Sequence, residues 1–165
     1  HNFYGEIFVE PQPLLTPTPR LPGLDNRKMS KSYGNTIDLS DTAEDVVKKV
    51  RQMYTDPKRV RADIPGTVEG NVVFAFLDAL ETDTERVALL KAHCRRGGLG
   101  DSRLKRELED RLQSLIAPIR ERRARFADDR SAVWVLLEQG TRRGREKAAA
   151  TLGAVKRALG LAYFA

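Results

Sequence analysis

Between Pro22 and Asn35 the chain reads PGLDNRKMSKSYGN. Three cations, Arg27, Lys28 and Lys31, fall within five positions. Two hydroxyls, Ser30 and Ser32, alternate with Met29 and Lys31. Gly23 and Gly34 bracket the segment and can act as hinges. Ammonium groups, hydroxyl donors and the exposed N–H groups of such a loop suit a polyphosphate. A lysine holds its charge on a flexible stem, so it can follow a phosphate group that moves during a reaction. The same composition also fits a basic surface loop that touches nucleic acid.

The surrounding sequence changes character near residue 40. Residues 1–39 hold Pro11, Pro13, Pro17, Pro19 and Pro22. Proline removes a backbone donor and fixes φ, so this stretch cannot be helical or a central strand. Ile7-Phe8-Val9, with Phe3, predicts one short strand, and Leu14-Leu15 and Leu21 can pack extended chain against a core. The segment lacks the apolar mass to fold alone. It reads as the end of a larger domain, and a chain that opens at His1 rather than Met reads as a piece of a longer product.

From residue 40 the periodicity is helical. Asp41 and Glu44 form a capping-box pair. Val46, Val47, Val50, Met53 and Tyr54 then mark a helix that Thr55-Asp56-Pro57 stops. A second helix carries Val72 to Leu80, and a third spans residues 84–96 and ends at Gly97-Gly98. A fourth opens at Gly100-Asp101-Ser102, with Leu104, Leu108, Leu112, Leu115 and Ile119 as its stripe, and Pro118 should kink or break it. A fifth holds Val133, Trp134, Leu136 and Leu137 and ends at Gly140. Thr141 can cap a sixth, with Ala148, Ala149, Leu152, Val155 and Leu159 facing inward. Six helices with short connections predict an α-helical bundle.

Composition narrows the function. The 165 residues are 41% hydrophobic and 32% charged, which suits a soluble, core-forming chain. No apolar run approaches the roughly 20 residues of a membrane span. The single cysteine, Cys94, excludes a disulfide framework or a multi-cysteine metal site within the chain. It is expected to be an inert, partly buried thiol in a reducing, cytosolic setting. Residues 1–39 carry four basic and four acidic side chains, so the net charge of +6 lies entirely in residues 40–165. A basic helical part suggests a polyanionic partner such as RNA, or simply an arginine-rich solvated face.

Lys28-Met29-Ser30-Lys31-Ser32 spells KMSKS, the signature loop of class I aminoacyl-tRNA synthetases. Residues 16–25 (TPTPRLPGLD), Tyr33-Gly34-Asn35-Thr36-Ile37, Tyr54-Thr55-Asp56-Pro57, residues 118–122 (PIRER) and Leu159-Gly160-Leu161 together resemble the bacterial tryptophanyl-tRNA synthetases. The resemblance spans nearly the whole chain in the expected order. It implies a mainly α fold: residues 1–39 as the extended tail end of a Rossmann-type catalytic domain, and residues 40–165 as the helical anticodon-binding domain. It implies ATP and Mg²⁺ as cofactors, with tryptophan and tRNA(Trp) as substrates, in a cytoplasmic homodimer. Lys31 would stabilise the departing pyrophosphate, with Lys28 assisting. Ser30 and Ser32 would make phosphate and loop-ordering contacts, and Met29 and Leu21 would border the adenine. Asn26 stands where many family members have glycine. The family's HIGH signature is not in this sequence, so the chain alone is expected to be inactive. Without nucleotide, residues 26–34 are expected to be poorly ordered or displaced.

Tyrosyl-tRNA synthetase shares the class and the motif, but the text around KMSKS argues against it. A basic RNA-binding helical module without catalysis would not need both lysines, both serines and the flanking glycines. A helical protein-interaction module would not bind tRNA in a salt-sensitive way. The arginines at 95–96, 120–125 and 142–145 can contact phosphates and unpaired bases. The alternative is that many of them pair with acidic neighbours along a helix, as Glu107 with Arg111. Trp134 is expected to pack in the core, His93 to lie at a helix end, and Tyr33 to pack beside the hinge.

Overall fold

A computed structural model describes residues 3–57 and 59–163. Its helices are α1 (Ala43–Gln52), α2 (Val72–Leu80), α3 (Thr84–Arg96), α4 (Asp101–Asp128) and α5 (Arg130–Ala158). A 3₁₀ turn, Lys31–Tyr33, precedes them. The chain divides into two compact units: residues 15–123, and the two ends of the chain up to residue 14 and from residue 124.

The larger unit is organised by α4. Leu104, Leu108, Leu112 and Ile116 recur every four residues, which sets them on one face. All four are buried, together with Val46 and Val50 of α1, Val72 to Leu77 along α2, and Val87 and Cys94 of α3. Burial of each such side chain contributes about 1.5–3 kcal/mol. Leu115 was expected in this stripe but is exposed, and Ile116 takes its place. The four-residue step continues where the predicted stripe had shortened to three.

Polar groups on α4 finish the ends of other helices. A helix leaves its last carbonyls without partners. Lys105 Nζ donates to the carbonyls of Arg51 (2.7 Å) and Met53 (2.8 Å) at the end of α1. Arg111 Nε donates to the Leu80 carbonyl, 2.7 Å, at the end of α2. Glu107, expected to pair with Arg111, pairs with Arg86 of α3 instead. Helix α4 also runs through Pro118 without ending. Its flanks are tied to the start of α1: Gln113 donates to the Ala43 carbonyl at 2.8 Å, and Arg120 to Gln113 at 2.7 Å.

Other ends follow local chemistry. The cap of α1 is Thr42, whose hydroxyl accepts from the Asp45 N–H at 3.0 Å, one position on from the expected Asp41–Glu44 pair. Asp41 is occupied by Lys49, at 2.6 Å, and by the Asp38 N–H, at 2.8 Å. Gly97 ends α3 as expected, its N–H bonded to the Cys94 carbonyl at 3.1 Å. Between α1 and α2 the Arg59 side chain, 3% exposed, binds Asp101 at 2.9 Å. It also donates to the carbonyls of Ile64, Ala62 and Leu99.

The smaller unit differs. One helix, α5, replaces the two expected on either side of Gly140-Thr141. A glycine inside a helix costs about 1 kcal/mol, too little to stop one of this length. None of its residues is buried. Ala148, Ala149, Leu152 and Leu159 are exposed rather than inward-facing. Trp134, expected in the core, is 71% exposed. The strand expected at Ile7-Phe8-Val9 does not form, and among the described residues the only ladder contact is an isolated antiparallel bridge between Pro22 and Lys28. A lone extended segment has no partner for its backbone groups and stays irregular.

Candidate functional site

The loop at residues 22–35 belongs to the larger unit. It begins with a tight turn at Gly23 to Arg27. The Gly23 N–H bonds to the Arg27 carbonyl at 2.7 Å, and the Asn26 N–H to the Gly23 carbonyl at 3.0 Å. Asn26 has a φ of 64°. That left-handed conformation suits glycine, and asparagine tolerates it better than most residues. Asn26 can therefore hold this turn without a glycine.

Asn35, at the far end of the loop, closes it. Only 4% exposed, it spends its whole amide on the turn and the motif. Its Oδ1 accepts from the Ser30 N–H at 2.9 Å. Its Nδ2 donates to the Lys28 carbonyl at 3.1 Å and to Asp25 Oδ1 at 2.8 Å. Its own carbonyl accepts from the Leu24 N–H at 3.0 Å. The Leu24 carbonyl in turn accepts from the Tyr54 N–H at 2.7 Å, which ties the knot to the end of α1. A Cβ on Gly23 would lie 2.1 Å from Asn35 Nδ2. Gly23 therefore serves close packing and is no hinge, contrary to its sequence reading. Gly34 instead has a φ of 65° and open space around it.

Asp25 is the electrostatic centre of the knot. Its pKa falls from 3.8 to about 2, chiefly through the Asn35 hydrogen bond and then through Arg27. Arg27 Nε lies 2.6 Å from Asp25 Oδ2, and the guanidinium sits 5.7 Å from the centre of the Tyr33 ring. Tyr33, expected to pack, is 62% exposed, and its ring takes a cation–π contact from Arg27 instead.

The motif residues divide by exposure. Lys28, Lys31 and Ser32 are exposed, while Met29 and Ser30 are half-buried. Ser30 Oγ and Ser32 Oγ are 2.8 Å apart and share a hydrogen bond. Met29 and Leu21 pack against the hydrophobic core. Lys31 reaches an open cleft of about 580 Å³, also lined by Thr36, Ser40, Lys49, Ile119 and Arg123. Cations and hydroxyls meet the Asp38 carboxylate there, and Lys49 is engaged by Asp41 at 2.6 Å and Asp38 at 3.8 Å. Among the described residues no group of three or more His, Cys, Asp or Glu could hold a metal.

Elsewhere, Arg95 pairs with Glu69 at 2.7 Å and Arg142 with Glu138 at 3.3 Å. Arg122, Arg123 and Arg125 are exposed on α4. Cys94 is buried, which pushes its thiol pKa up and makes it unreactive. Half-buried His93 lies in the last turn of α3. Sequence reasoning gave Asn35 and Asp25 no role. An Asn beside a glycine at a loop end hints at side-chain-to-backbone bonding, but the partners ten and seven residues away appear only in the fold.

Residues 1–117 match the family of tRNA synthetases class I (W and Y), and the chain belongs to that family. Its relatives include the tryptophan–tRNA ligase of Streptococcus pyogenes serotype M3, 47% identical over 170 residues, covering 99% of this chain and 50% of that protein. The tryptophan–tRNA ligase of Clostridium longisporum is 45% identical over 168 residues, covering 99% and 49%. The chain thus spans about half the length of the curated relatives it matches. Among solved structures, a tryptophanyl-tRNA synthetase from Campylobacter jejuni complexed with ADP and tryptophan superposes with a TM-score of 0.74 at 24% identity. That match covers 97% of this chain and 50% of the other, and carries the fold.

Proposed function

We propose that the chain forms part of a tryptophan–tRNA ligase and supplies its ATP-phosphate loop and tRNA-binding helices. Residues 1–39 would complete the catalytic domain and residues 40–165 would bind tRNA. The observation that carries this reading is the pair of exposed lysines, Lys28 and Lys31, on a loop whose backbone is anchored from below. The curated relatives favour tryptophan over the tyrosine alternative.

In the reaction, the tryptophan carboxylate attacks the α-phosphorus of ATP. Tryptophanyl-adenylate forms and pyrophosphate leaves. A terminal ribose hydroxyl of tRNA(Trp) then takes the aminoacyl group and releases AMP. Negative charge grows on the β- and γ-phosphates during the first step. Lys31 would meet it from an exposed turn, and an interaction that strengthens in the transition state raises rate rather than affinity. Lys28 adds a second cation, and the Ser30 and Ser32 hydroxyls can donate to phosphate oxygens. Met29 and Leu21, held against the core, would border the adenine. Magnesium would enter only with the nucleotide.

The exposed arginines 122, 123 and 125 would contact tRNA phosphates, and such binding weakens steeply with salt. The single buried cysteine suits a cytoplasmic enzyme, where the tRNA substrate is found, and the family resemblance implies a homodimer. No helix among the described residues is long and apolar enough to cross a membrane. The test is tryptophan-dependent exchange of pyrophosphate into ATP by the full-length protein. Exchange with tryptophan and not tyrosine is expected; exchange with neither would overturn the reading.

A further inference from the structure

We infer that Asn35 is a positioning residue of the nucleotide loop: its amide fixes the backbone from Lys28 to Ser30, so that Lys31 moves on a stationary base. This rests on the reading of the loop as an ATP-phosphate loop. The Asn35 amide makes three hydrogen bonds. Two are donated, to the Lys28 carbonyl and Asp25 Oδ1, and one is accepted, from the Ser30 N–H. The bonded carbonyl and N–H lie on either side of Met29, inside the motif. On the other side of Ser30 the chain is held differently. The 3₁₀ turn Lys31–Tyr33 has no buried residue and ends at Gly34 in the left-handed conformation. Its ties are the Tyr33 and Gly34 N–H bonds within the turn, the Ser30–Ser32 hydroxyl bond, and the Arg27–Tyr33 contact. These are exposed and easily exchanged for water. Motion is therefore confined to residues 31–34.

The chemistry of the amide is specific. A carboxylate at position 35 could accept from the Ser30 N–H but could donate to neither partner. It would also face the Asp25 carboxylate, which now accepts at 2.8 Å. Two carboxylates so close hold one proton between them at raised pKa. Acidification would then restore one donor. A leucine would fill the space and restore nothing.

The experiment compares Asn35→Asp, Asn35→Leu and Lys31→Ala in the full-length enzyme. Pyrophosphate exchange is measured from about pH 5.5 to about pH 8, alongside transfer to tRNA from added, chemically prepared tryptophanyl-adenylate. Both Asn35 variants are expected to slow exchange about 10²-fold near pH 8, as a 1 Å displacement of catalytic groups does. The KM for tryptophan and the transfer step should stay within about threefold. Relative to wild type, Asn35→Asp should recover about tenfold toward low pH and Asn35→Leu should not. Exchange near wild type in both variants would overturn the inference, as would equal loss in both half-reactions or identical pH profiles. Should Asn35→Leu fail to fold, the Asn35→Asp profile decides alone. Should neither fold, Asn35 acts on the whole fold and the inference falls. If Lys31→Ala itself leaves exchange intact, it is the ATP-loop reading that fails.

Discussion

Lys28 and Lys31 carry the same charge three residues apart, yet the fold holds them in opposite ways. The Lys28 backbone is bonded to a buried asparagine, and its neighbour Met29 packs on the core. Lys31 sits on an exposed turn that opens onto a cleft with Lys49 and Arg123. The contrast teaches that a five-residue motif can divide mechanically, with its first half held by a buried amide and the core and its second on an exposed turn. Burial and hydrogen bonding set the division, since the side-chain chemistry of the two lysines is identical.

The largest effect should come from the exposed half. Lys31→Ala in the full-length enzyme is expected to slow adenylate formation about 10²–10³-fold, the loss of one charge-stabilising donor in a transition state. Lys28→Ala should cost about fivefold, as expected for an exposed charge that assists. Equal losses in pyrophosphate exchange would erase the comparison. Next comes the held half, the footing. Gly23→Ala places a methyl 2.1 Å from the Asn35 amide nitrogen, and the knot must shift. A loss of about 1–3 kcal/mol in denaturant unfolding is expected, as for other overpacked sites. Gly34→Ala should cost about 1 kcal/mol through its positive φ alone, because the space beside it is open.

The parts that were readable in advance share a property: their information is local. Leu104, Leu108 and Leu112 announce the buried face of α4 by their spacing, and Gly97 marks where α3 ends. The motif itself was plain from five adjacent residues. What was hidden depends on distant partners. Glu107 and Arg111 have the spacing of an in-helix pair, but Arg111 is taken by the Leu80 carbonyl and Glu107 by Arg86. Gly140-Thr141 looks like a helix boundary, yet nothing in the fold there requires a turn, and α5 continues. Trp134 was placed in a core because its neighbours are apolar, whereas periodicity cannot say what, if anything, covers a face. Asn35 is the clearest case. Its role depends on Asp25 and Gly23, and nothing in its own vicinity reveals it.

Acid provides a gentler probe of the footing. The folded pKa of Asp25 lies near 2, below its ordinary 3.8. A depressed carboxylate contributes stability that is complete above the unfolded value and is lost as pH falls through the folded one. The knot should therefore hold down to about pH 4 and weaken between there and about pH 2. An NMR titration of the Asp25 carboxyl is expected to show a midpoint near 2, rising toward 3.8 in Asn35→Leu. An ordinary midpoint in the unmodified protein would mean that Asn35 does not hold the carboxylate.

The smallest effect is that of Asn26→Gly, and set against Asn26→Val it asks whether the turn below the motif is a matter of backbone or of side chain. With φ at 64°, this residue lies where L side chains are strained. Asn26→Gly relieves the strain but loosens the unfolded chain, and the two terms nearly cancel, leaving a change within about 0.5 kcal/mol. Asn26→Val adds a branched Cβ to the same conformation and should cost about 1–3 kcal/mol. If backbone geometry is what position 26 supplies, pyrophosphate exchange should follow stability: unchanged with glycine and reduced with valine. A glycine variant as stable as wild type but slow in exchange would give the Asn26 side chain a part in the chemistry, and the footing would then include a residue nearer the motif than Asn35 and Asp25.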